Sequence, residues 1–216
     1  MFKSLVALAL VVGVSLTMGS GLAFQGGYYT SATSNTATRS NIQRVNLSPA
    51  AGSMALFASR VEDADSLVLL QAGYIKHNGH TSPCGNATYI TAFVDWFGLD
   101  GHEHCLIYFV GTTGTNERYS VLRESGDCWT GYRSGSPMGT CHRIQTETGR
   151  MLAVVEYLGA GGTLDACFGC EGLTKWQVAT VQPNYSDVVT CHWRTAPPNA
   201  SGWSRTCPPS PFSIRR

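Results

Sequence analysis

Short apolar runs recur along the chain in a pattern that is typical of β-strands. Runs rich in β-branched and aromatic residues are separated by clusters of Gly, Pro, Asn, Asp and Ser, and helical periodicity is scarce. The pattern predicts strands at 67–75, 89–97, 105–110, 118–123, 151–158, 174–182 and 187–193. Strands with this regular spacing predict an all-β fold, an antiparallel β-sandwich or jelly roll.

The beginning of the chain has the pattern of a signal peptide over residues 1–23. Lys3 supplies a positive charge, residues 5–16 form an apolar run too short to span a bilayer comfortably, and small residues follow at 21–23. We therefore expect a secreted, extracellular protein whose mature form begins near Phe24. No later apolar run is long enough to remain as a membrane anchor once the signal is cleaved.

The remaining residues are enough for one domain with a substantial core. Residues 24–60 are predicted to be an extended lead-in that joins the sandwich, and residues 61–195 to be the β-sandwich domain. Residues 196–216 are rich in Pro and Ser and are predicted to be a C-terminal tail.

Charge and cysteine content narrow the function classes. Charged residues make up 13 % of the chain, the net charge is +1, and Lys and Arg are scattered. This composition lacks the basic patch of a nucleic-acid-binding protein.

The eight cysteines (84, 105, 128, 141, 167, 170, 191 and 207) all follow the signal segment and predict up to four disulfides, among ~105 possible pairings. Cys167 and Cys170 have the spacing of a redox motif, but no βαβ context surrounds them, so structural bridging is favoured.

Two polar residues, Gln71 and Asp95, interrupt apolar strand segments. Alternation in 89–97 places Ile90, Ala92, Val94 and Trp96 on a core-like face and Asp95 on the opposite face, while segment 67–75 is apolar on both sides. One interpretation is structural: Gln71 bonds to a neighbouring strand or loop, and Asp95 caps a turn. The other is that both residues line the concave face of a bent sheet, with Tyr89 and Phe93 as the walls of a cleft.

The segments LLQAGYI and YITAFVDWF resemble strands of the secreted glutamic peptidases, the eqolisins, which are concanavalin-like β-sandwiches. The resemblance continues through CWTGYRSGS and MLAVVEYLGAGGTLDACFG into TKWQVATVQ, and covers most of residues 65–182. In that family a glutamate activates water as the general base, and a glutamine amide stabilises the tetrahedral oxyanion. The resemblance therefore implies a concanavalin-like jelly roll and candidate acid-peptidase residues.

Matched to the family's motifs, Gln71 stands at the catalytic glutamine, Phe93 at a cleft tryptophan and Asp95 at an acidic position. Leu152 stands where the family has its catalytic glutamate, and a leucine cannot activate water. Glu156 lies on the same strand face, but four residues further on, or ~13 Å at ~3.3 Å per residue. A base must come within ~3 Å of its water, so Glu156 could serve only after a register shift. Asp95 is the other candidate acid.

These residues favour a secreted, non-catalytic module that binds extracellular peptide or carbohydrate through an aromatic surface including Tyr89 and Phe93. The alternative is an acid-active endopeptidase that uses Gln71 with a carboxylate from Asp95 or Glu156. Neither hypothesis requires a cofactor.

A metal site is considered at His102-Glu103-His104, where two imidazoles stand at i and i+2. The motif follows Gly98-Leu99-Asp100-Gly101, which is typical of a turn, and Cys105 is expected to be oxidised. We therefore predict no metal site.

Overall fold

The protein is an antiparallel β-sandwich in a computed structural model that describes residues 23–43, 47–63, 68–80, 82–85, 87–109, 116–158, 162–163, 165–168, 176–188, 192–196, 204–206 and 212–215. Its strands are β1 (Ala23–Tyr29), β2 (Ala37–Gln43), β3 (Ser48–Pro49), β4 (Ser53–Glu62), β5 (Val68–Asn78), β6 (Thr91–Phe97), β7 (Glu103–Phe109), β8 (Asn116–Ser125), β9 (Cys128–Arg133), β10 (Ser136–Arg143), β11 (Arg150–Leu158), β12 (Gly162–Thr163), β13 (Asp165–Phe168), β14 (Gln177–Ala179), β15 (Ser186–Asp187), β16 (Trp193–Ala196), β17 (Ser204–Thr206) and β18 (Phe212–Arg215). The described residues include no helix that could cross a membrane.

Two large sheets form the sandwich. The seven-stranded sheet has the order β16-β1-β11-β4-β5-β6-β7, and the nine-stranded sheet has the order β10-β9-β8-β2-β13-β18-β17 with β14 and β15 attached to β2. The pairings within both sheets are antiparallel. The strands β3 and β12 form a separate small sheet. This arrangement confirms the predicted antiparallel sandwich.

The main core lies between the two sheets. Strand β6 contributes Ala92 and Val94, which are fully buried, and Trp96 packs against the same cluster. Strands β8 and β9 contribute Tyr119 and Trp129 from the opposite sheet. The predicted alternation of β6 is therefore confirmed, and Asp95 projects away from the main core. We call this opposite side of the seven-stranded sheet the outer face.

Most predicted strands are present, with shifted ends. The segments 67–75, 89–97, 105–110, 118–123 and 151–158 correspond to β5, β6, β7, β8 and β11. Of the described residues in 174–182, which begin at 176, only three form a strand, β14. The prediction of a single strand at 187–193 is wrong, because β15 ends at Asp187 and β16 begins at Trp193. Residues 189–191 lie outside the described part of the chain.

The region predicted as an extended lead-in supplies strands to both large sheets. Strands β1 and β4 belong to the seven-stranded sheet, and β2 belongs to the nine-stranded sheet. Strand β4 was not predicted because every one of its residues is buried. A strand covered on both faces has no alternation of apolar and polar positions to reveal it.

Two disulfides are present among the described side chains, Cys84–Cys105 and Cys128–Cys141. They confirm the prediction of structural bridging for these four cysteines, including the oxidised state of Cys105. The side chains of the remaining cysteines (167, 170, 191 and 207) lie outside the described residues, and so does the structural bridging predicted for Cys167 and Cys170.

Gly73 permits a close approach of β4 and β5 next to the candidate site. A Cβ atom at Gly73 would lie 1.7 Å from the carbonyl oxygen of Phe57 and 2.7 Å from the Cα of Ala58. Backbone would have to move, so Gly73→Ala is expected to lower the free energy of unfolding by about 3 kcal/mol, at the upper end of the usual overpacking cost. Urea denaturation would measure this loss.

The control for this prediction is Gly52→Ala. Its Cβ would meet open space, and only the φ of +74° opposes the substitution, which gives an expected cost of about 1 kcal/mol. Equal losses for the two variants would contradict the close-approach argument.

Candidate active site

A row of directly opposed residues crosses the outer face at the middle of the sheet. Leu152 of β11 is opposite Arg60 of β4, Arg60 is opposite Gln71 of β5, and Gln71 is opposite Asp95 of β6. Cys105 of β7 completes the row. Opposed residues in an antiparallel sheet project from the same face, so strand register alone brings these side chains together.

Gln71 is held at both ends of its amide. Its Oε1 accepts hydrogen bonds from Nε and Nη2 of Arg60, at 3.0 and 2.6 Å, and its Nε2 donates to Oδ2 of Asp95 at 2.9 Å. The side chain is only 4 % exposed. Because a guanidinium can only donate, Arg60 defines which end of the amide is the oxygen.

Asp95 forms a carboxyl pair with Glu103 of β7. The two side chains are in hydrogen-bond contact, and Oδ1 of Asp95 is buried without a protein donor. Two carboxyl groups can hydrogen-bond only when one of them carries a proton. Burial, reinforced by the charge of Glu103, raises the pKa of Asp95 to about 8, and burial also raises the pKa of Glu103. Asp95 is therefore a neutral acid at neutral and acidic pH.

Arg60 is the cation at the centre of the outer face. Its side chain is fully buried, its Nη2 lies 2.6 Å from Oε1 of Glu156, and its Nη1 lies 3.6 Å from Oε1 of Glu62. Glu62 is also bound by Arg194 of β16. Burial raises the pKa of Glu62, and the charges of Arg60 and Arg194 oppose that shift. The outer face thus contains buried charges arranged in pairs, as burial of charge requires.

Arg60 brings Glu156 close to Gln71. The same nitrogen, Nη2, lies 2.6 Å from Oε1 of each side chain, so these two oxygens are at most about 5 Å apart, within one bridging group of each other. The position of Glu156 in the sequence predicts a carboxyl that is out of reach without a register shift. Glu156 is indeed four residues from Leu152 along β11. Its side chain nevertheless reaches Arg60, which brings the carboxyl close to Gln71.

A small cavity lies among these groups. Its volume is about 40 Å³, and its lining includes Gln71, Asp95, Glu103, Glu156 and Phe93. A water molecule occupies ~30 Å³ in the liquid, so the cavity accommodates about one water molecule beside an amide and three carboxyl groups. It is too small for a substrate.

The connection between β5 and β6 covers the cavity. We call residues 82–85 and 87 of this connection the lid. Ser82, Pro83 and Cys84 line the cavity, and Cys84 and Ala87 belong to a second apolar cluster that includes Phe93 and Leu152. The disulfide Cys84–Cys105 joins the lid to β7. The lid therefore closes the outer face over the candidate site.

The structure brings together three of the predicted site residues, Gln71, Asp95 and Glu156, around one cavity. Phe93 also lines the cavity, but it is fully buried, whereas Tyr89 is 72 % exposed and does not line it. The two rings therefore do not form a shared open aromatic wall.

Arg60 and Glu103 are functional candidates that sequence reasoning missed. The available signal for Arg60 was a charge within the apolar run of β4, at a position opposite Gln71 in the register. Glu103 was considered only as part of a metal motif. Its role follows from its place in β7, two residues from Cys105 on the same strand face as Asp95.

Leu152, which the motif resemblance aligns with the catalytic glutamate of the glutamic peptidases, lies in an apolar environment. It is fully buried, in the cluster that contains Phe93 and the lid residues Cys84 and Ala87. An ionised side chain at this position would be strongly disfavoured without a partner.

The His102-Glu103-His104 segment separates its side chains. His104 stacks on Trp96 with a centroid distance of 5.1 Å, and its Nε2 lies 2.9 Å from Oδ2 of Asp100. His102 is exposed and precedes β7. Among the described residues no group of three or more His, Cys, Asp or Glu side chains is placed to hold a metal ion.

The fold is similar to solved structures of glutamic peptidases. A scytalido-glutamic peptidase with a peptide-based transition-state analogue has a TM-score of 0.55 and 8 % identity, over 90 % of this chain and 98 % of that chain. The same enzyme with a transition-state analogue inhibitor gives 0.55 and 13 %, again over 90 % and 98 %. SCP-B, an eqolisin in complex with the tripeptide Ala-Ile-His, gives 0.51 and 10 % over the same shares.

No protein-family model matches the chain, and neither does any curated protein. At these identities the similarity to the solved structures concerns the fold. The predicted resemblance to the glutamic peptidases is therefore confirmed as a concanavalin-like, disulfide-bonded β-sandwich.

Proposed function

We propose that this sandwich with the fold of the glutamic peptidases is a secreted, non-catalytic module that binds extracellular peptide on its outer face. The observation that carries the proposal is Leu152. The motif resemblance aligns it with the general base of the glutamic peptidases, and apolar side chains enclose it. The carboxyl that contacts Gln71 is no substitute, because Asp95 with a pKa of about 8 is protonated at acidic pH and a general base must be ionised.

The chemistry of the outer face supports peptide as the ligand. The apolar cluster around Phe93 and Leu152 lies beside hydrogen-bonding groups from Arg60 and Gln71. A peptide offers both apolar side chains and a backbone that hydrogen-bonds, so it matches such a surface. A carbohydrate platform needs an open aromatic ring. Phe93 is buried, and Tyr89, which is 72 % exposed, does not line the cavity at the centre of this face.

A second candidate is an acid-active endopeptidase that uses Gln71 and Glu156. It is favoured by the approach of Glu156 to within about 5 Å of the Gln71 amide, since both contact one nitrogen of Arg60. The nearby cavity has room for a water molecule. In this mechanism Glu156 would activate that water, and the Gln71 amide would stabilise the oxyanion.

Cleavage of a denatured protein substrate by the oxidised, mature protein from pH 2 to pH 7 separates the two candidates. We expect no cleavage at any pH, together with retention of fluorescent peptides from a random library and no signal on a glycan array. Cleavage that is lost in both Gln71→Ala and Glu156→Gln, but kept in Glu147→Gln, would overturn the non-catalytic proposal. Glu147 is a suitable control because its side chain is 67 % exposed and pairs with Arg123.

A further inference from the structure

The lid occupies the surface that the proposed function assigns to the ligand. Cys84 and Ala87 are 8 % and 4 % exposed and pack in the apolar cluster with Phe93 and Leu152. The disulfide to Cys105 holds Cys84 at β7, so a ligand that reaches this cluster must displace Ala87. The way in which the lid is attached therefore decides when the outer face is accessible.

His77, at the end of β5, provides the hydrogen bonds that hold the lid. Its backbone N–H donates to the carbonyl of Ala87 at 2.6 Å, and the N–H of Ala87 donates to Nδ1 of His77 at 3.1 Å. Nε2 of His77 lies 3.4 Å from Oγ of Ser82, and the ring also bonds to the backbone of Gly85. Within the described residues, every hydrogen bond between the lid and the sheet involves His77.

These contacts require a neutral imidazole of one tautomer. Nδ1 accepts from the Ala87 N–H, so it carries no proton, and Nε2 carries the proton and donates. Protonation would place an N–H on Nδ1 directly opposite the N–H of Ala87. Two donors cannot bond to each other, so the bond from the Ala87 N–H to the imidazole would be lost, and only the backbone bond between His77 and Ala87 would remain.

The surroundings of His77 favour the neutral form. The side chain is 1 % exposed, and burial lowers its pKa, followed by the charge of His80, whose ring lies 6.1 Å away edge-on. The hydrogen bond to the Gly85 backbone opposes this shift, but the net pKa of His77 is lowered. Across the sheet His77 is opposite Met54 of β4, which has no charge. From the lid it faces Ser82, Gly85 and Ala87, and among the described residues only His80 contributes a charge to its titration.

We propose that the lid takes the place of a peptide ligand on the outer face, and that protonation of His77 releases it so that an extended peptide can bind there. This inference rests on the proposed function. The lid itself indicates the ligand class, since Pro83, Cys84 and Ala87 present small apolar groups to the surface. Because the disulfide to Cys105 holds Cys84 at β7, the release concerns the part of the lid around Ala87.

Amide hydrogen exchange at Ala87 tests the release directly. Because the neutral His77 is favoured in the closed state, the closed lid loses stability as pH falls below about 6.5, and the opening equilibrium increases by up to about tenfold per pH unit. We expect the protection factor of the Ala87 amide, corrected for intrinsic exchange, to fall between pH 7.5 and pH 5. The Val94 amide in the core serves as the internal reference. We call the pH-dependent attachment of the lid by His77 the latch. A constant Ala87 protection factor in the wild-type protein would overturn the latch.

His77→Asn is the matched variant, because its Oδ1 can accept from the Ala87 N–H and does not titrate in this range. The lid of this variant is expected to stay closed at pH 5. His102→Asn, which changes an exposed histidine, is expected to behave as the wild type. A pH-dependent Ala87 protection factor that persists in a folded His77→Asn protein would also overturn the latch.

A fluorescein-labelled peptide of residues 80–88, with serine replacing Cys84, probes the surface that the lid covers. We expect it to bind the wild-type protein at least tenfold more tightly at pH 5 than at pH 7.5, and to lose this difference with His77→Asn. Lid release without binding of this peptide or a library peptide would overturn the proposed peptide binding and leave the latch intact. Equal binding at both pH values would overturn the latch and leave the binding function intact.

Discussion

Replacing Arg60 by alanine is expected to lower the free energy of unfolding by about 3–5 kcal/mol, the usual cost of removing one partner of a buried ion pair. The guanidinium is fully buried and contacts Gln71, Glu62 and Glu156. Its loss leaves Oε1 of Gln71 without its donor and two carboxylates without their shared cation. Urea denaturation at pH 7 would measure the change.

Arg143→Ala is the control for Arg60→Ala. Arg143 also pairs with a carboxylate, Asp127, but its side chain is 67 % exposed. Exposed pairs contribute about 0–1 kcal/mol. Equal losses of unfolding free energy in Arg60→Ala and Arg143→Ala would contradict a stabilising role for the buried network around Arg60.

Replacing Asp95 by asparagine is expected to remove a large pH dependence of stability. The native pKa of Asp95, about 8, is raised above its unfolded value. Between about pH 4 and pH 8 the native state therefore holds a proton that the unfolded state has released, so stability falls as pH rises, by up to about 1.4 kcal/mol per pH unit. An asparagine amide can keep the bond from Gln71 and donate to Glu103, as the protonated carboxyl does.

The measurement for Asp95→Asn is the free energy of unfolding from pH 4.5 to pH 8. The variant is expected to be more stable than the wild type at pH 8 and to lose the slope attributed to Asp95. Asp127→Asn is the control, because the pKa of Asp127 is shifted in the opposite direction: hydrogen bonding to Arg143 lowers it. Asp127 therefore titrates below this pH window, and its replacement is expected to leave the slope unchanged. Parallel pH profiles for Asp95→Asn and the wild type would contradict a protonated Asp95.

The sequence predicted the part of the site that follows from strand alternation. The alternation of apolar and polar positions in β6 correctly predicted that Asp95 lies on the face opposite the core. The motif resemblance predicted Gln71 on the neighbouring strand, and the two side chains share a hydrogen bond. Arg60 escaped prediction because β4 is buried on both faces, so neither its strand nor the orientation of its side chains could be read from alternation.

The lid could not be predicted for a different reason. Its Ser, Pro, Cys and Gly residues are typical of an exposed turn, and its position depends on the pairing of Cys84 with Cys105, which the sequence did not select. Phe93 was expected to form an open wall, and the lid covers it. The packing of Cys84 and Ala87 against Phe93 thus decides the burial of this ring, which the alternation in β6 alone did not predict.

The order of the seven-stranded sheet has a consequence for how the protein folds. Strands β4, β5, β6 and β7 are neighbours both in the chain and in the sheet, whereas β1 lies between β11 and β16. Strand β1 therefore pairs with residues that lie more than a hundred positions later in the chain; Gln25, for example, is opposite Glu156. Because distant pairings slow folding, we infer that the β4–β7 meander assembles first, and that β1 is the last long strand of this sheet to be enclosed.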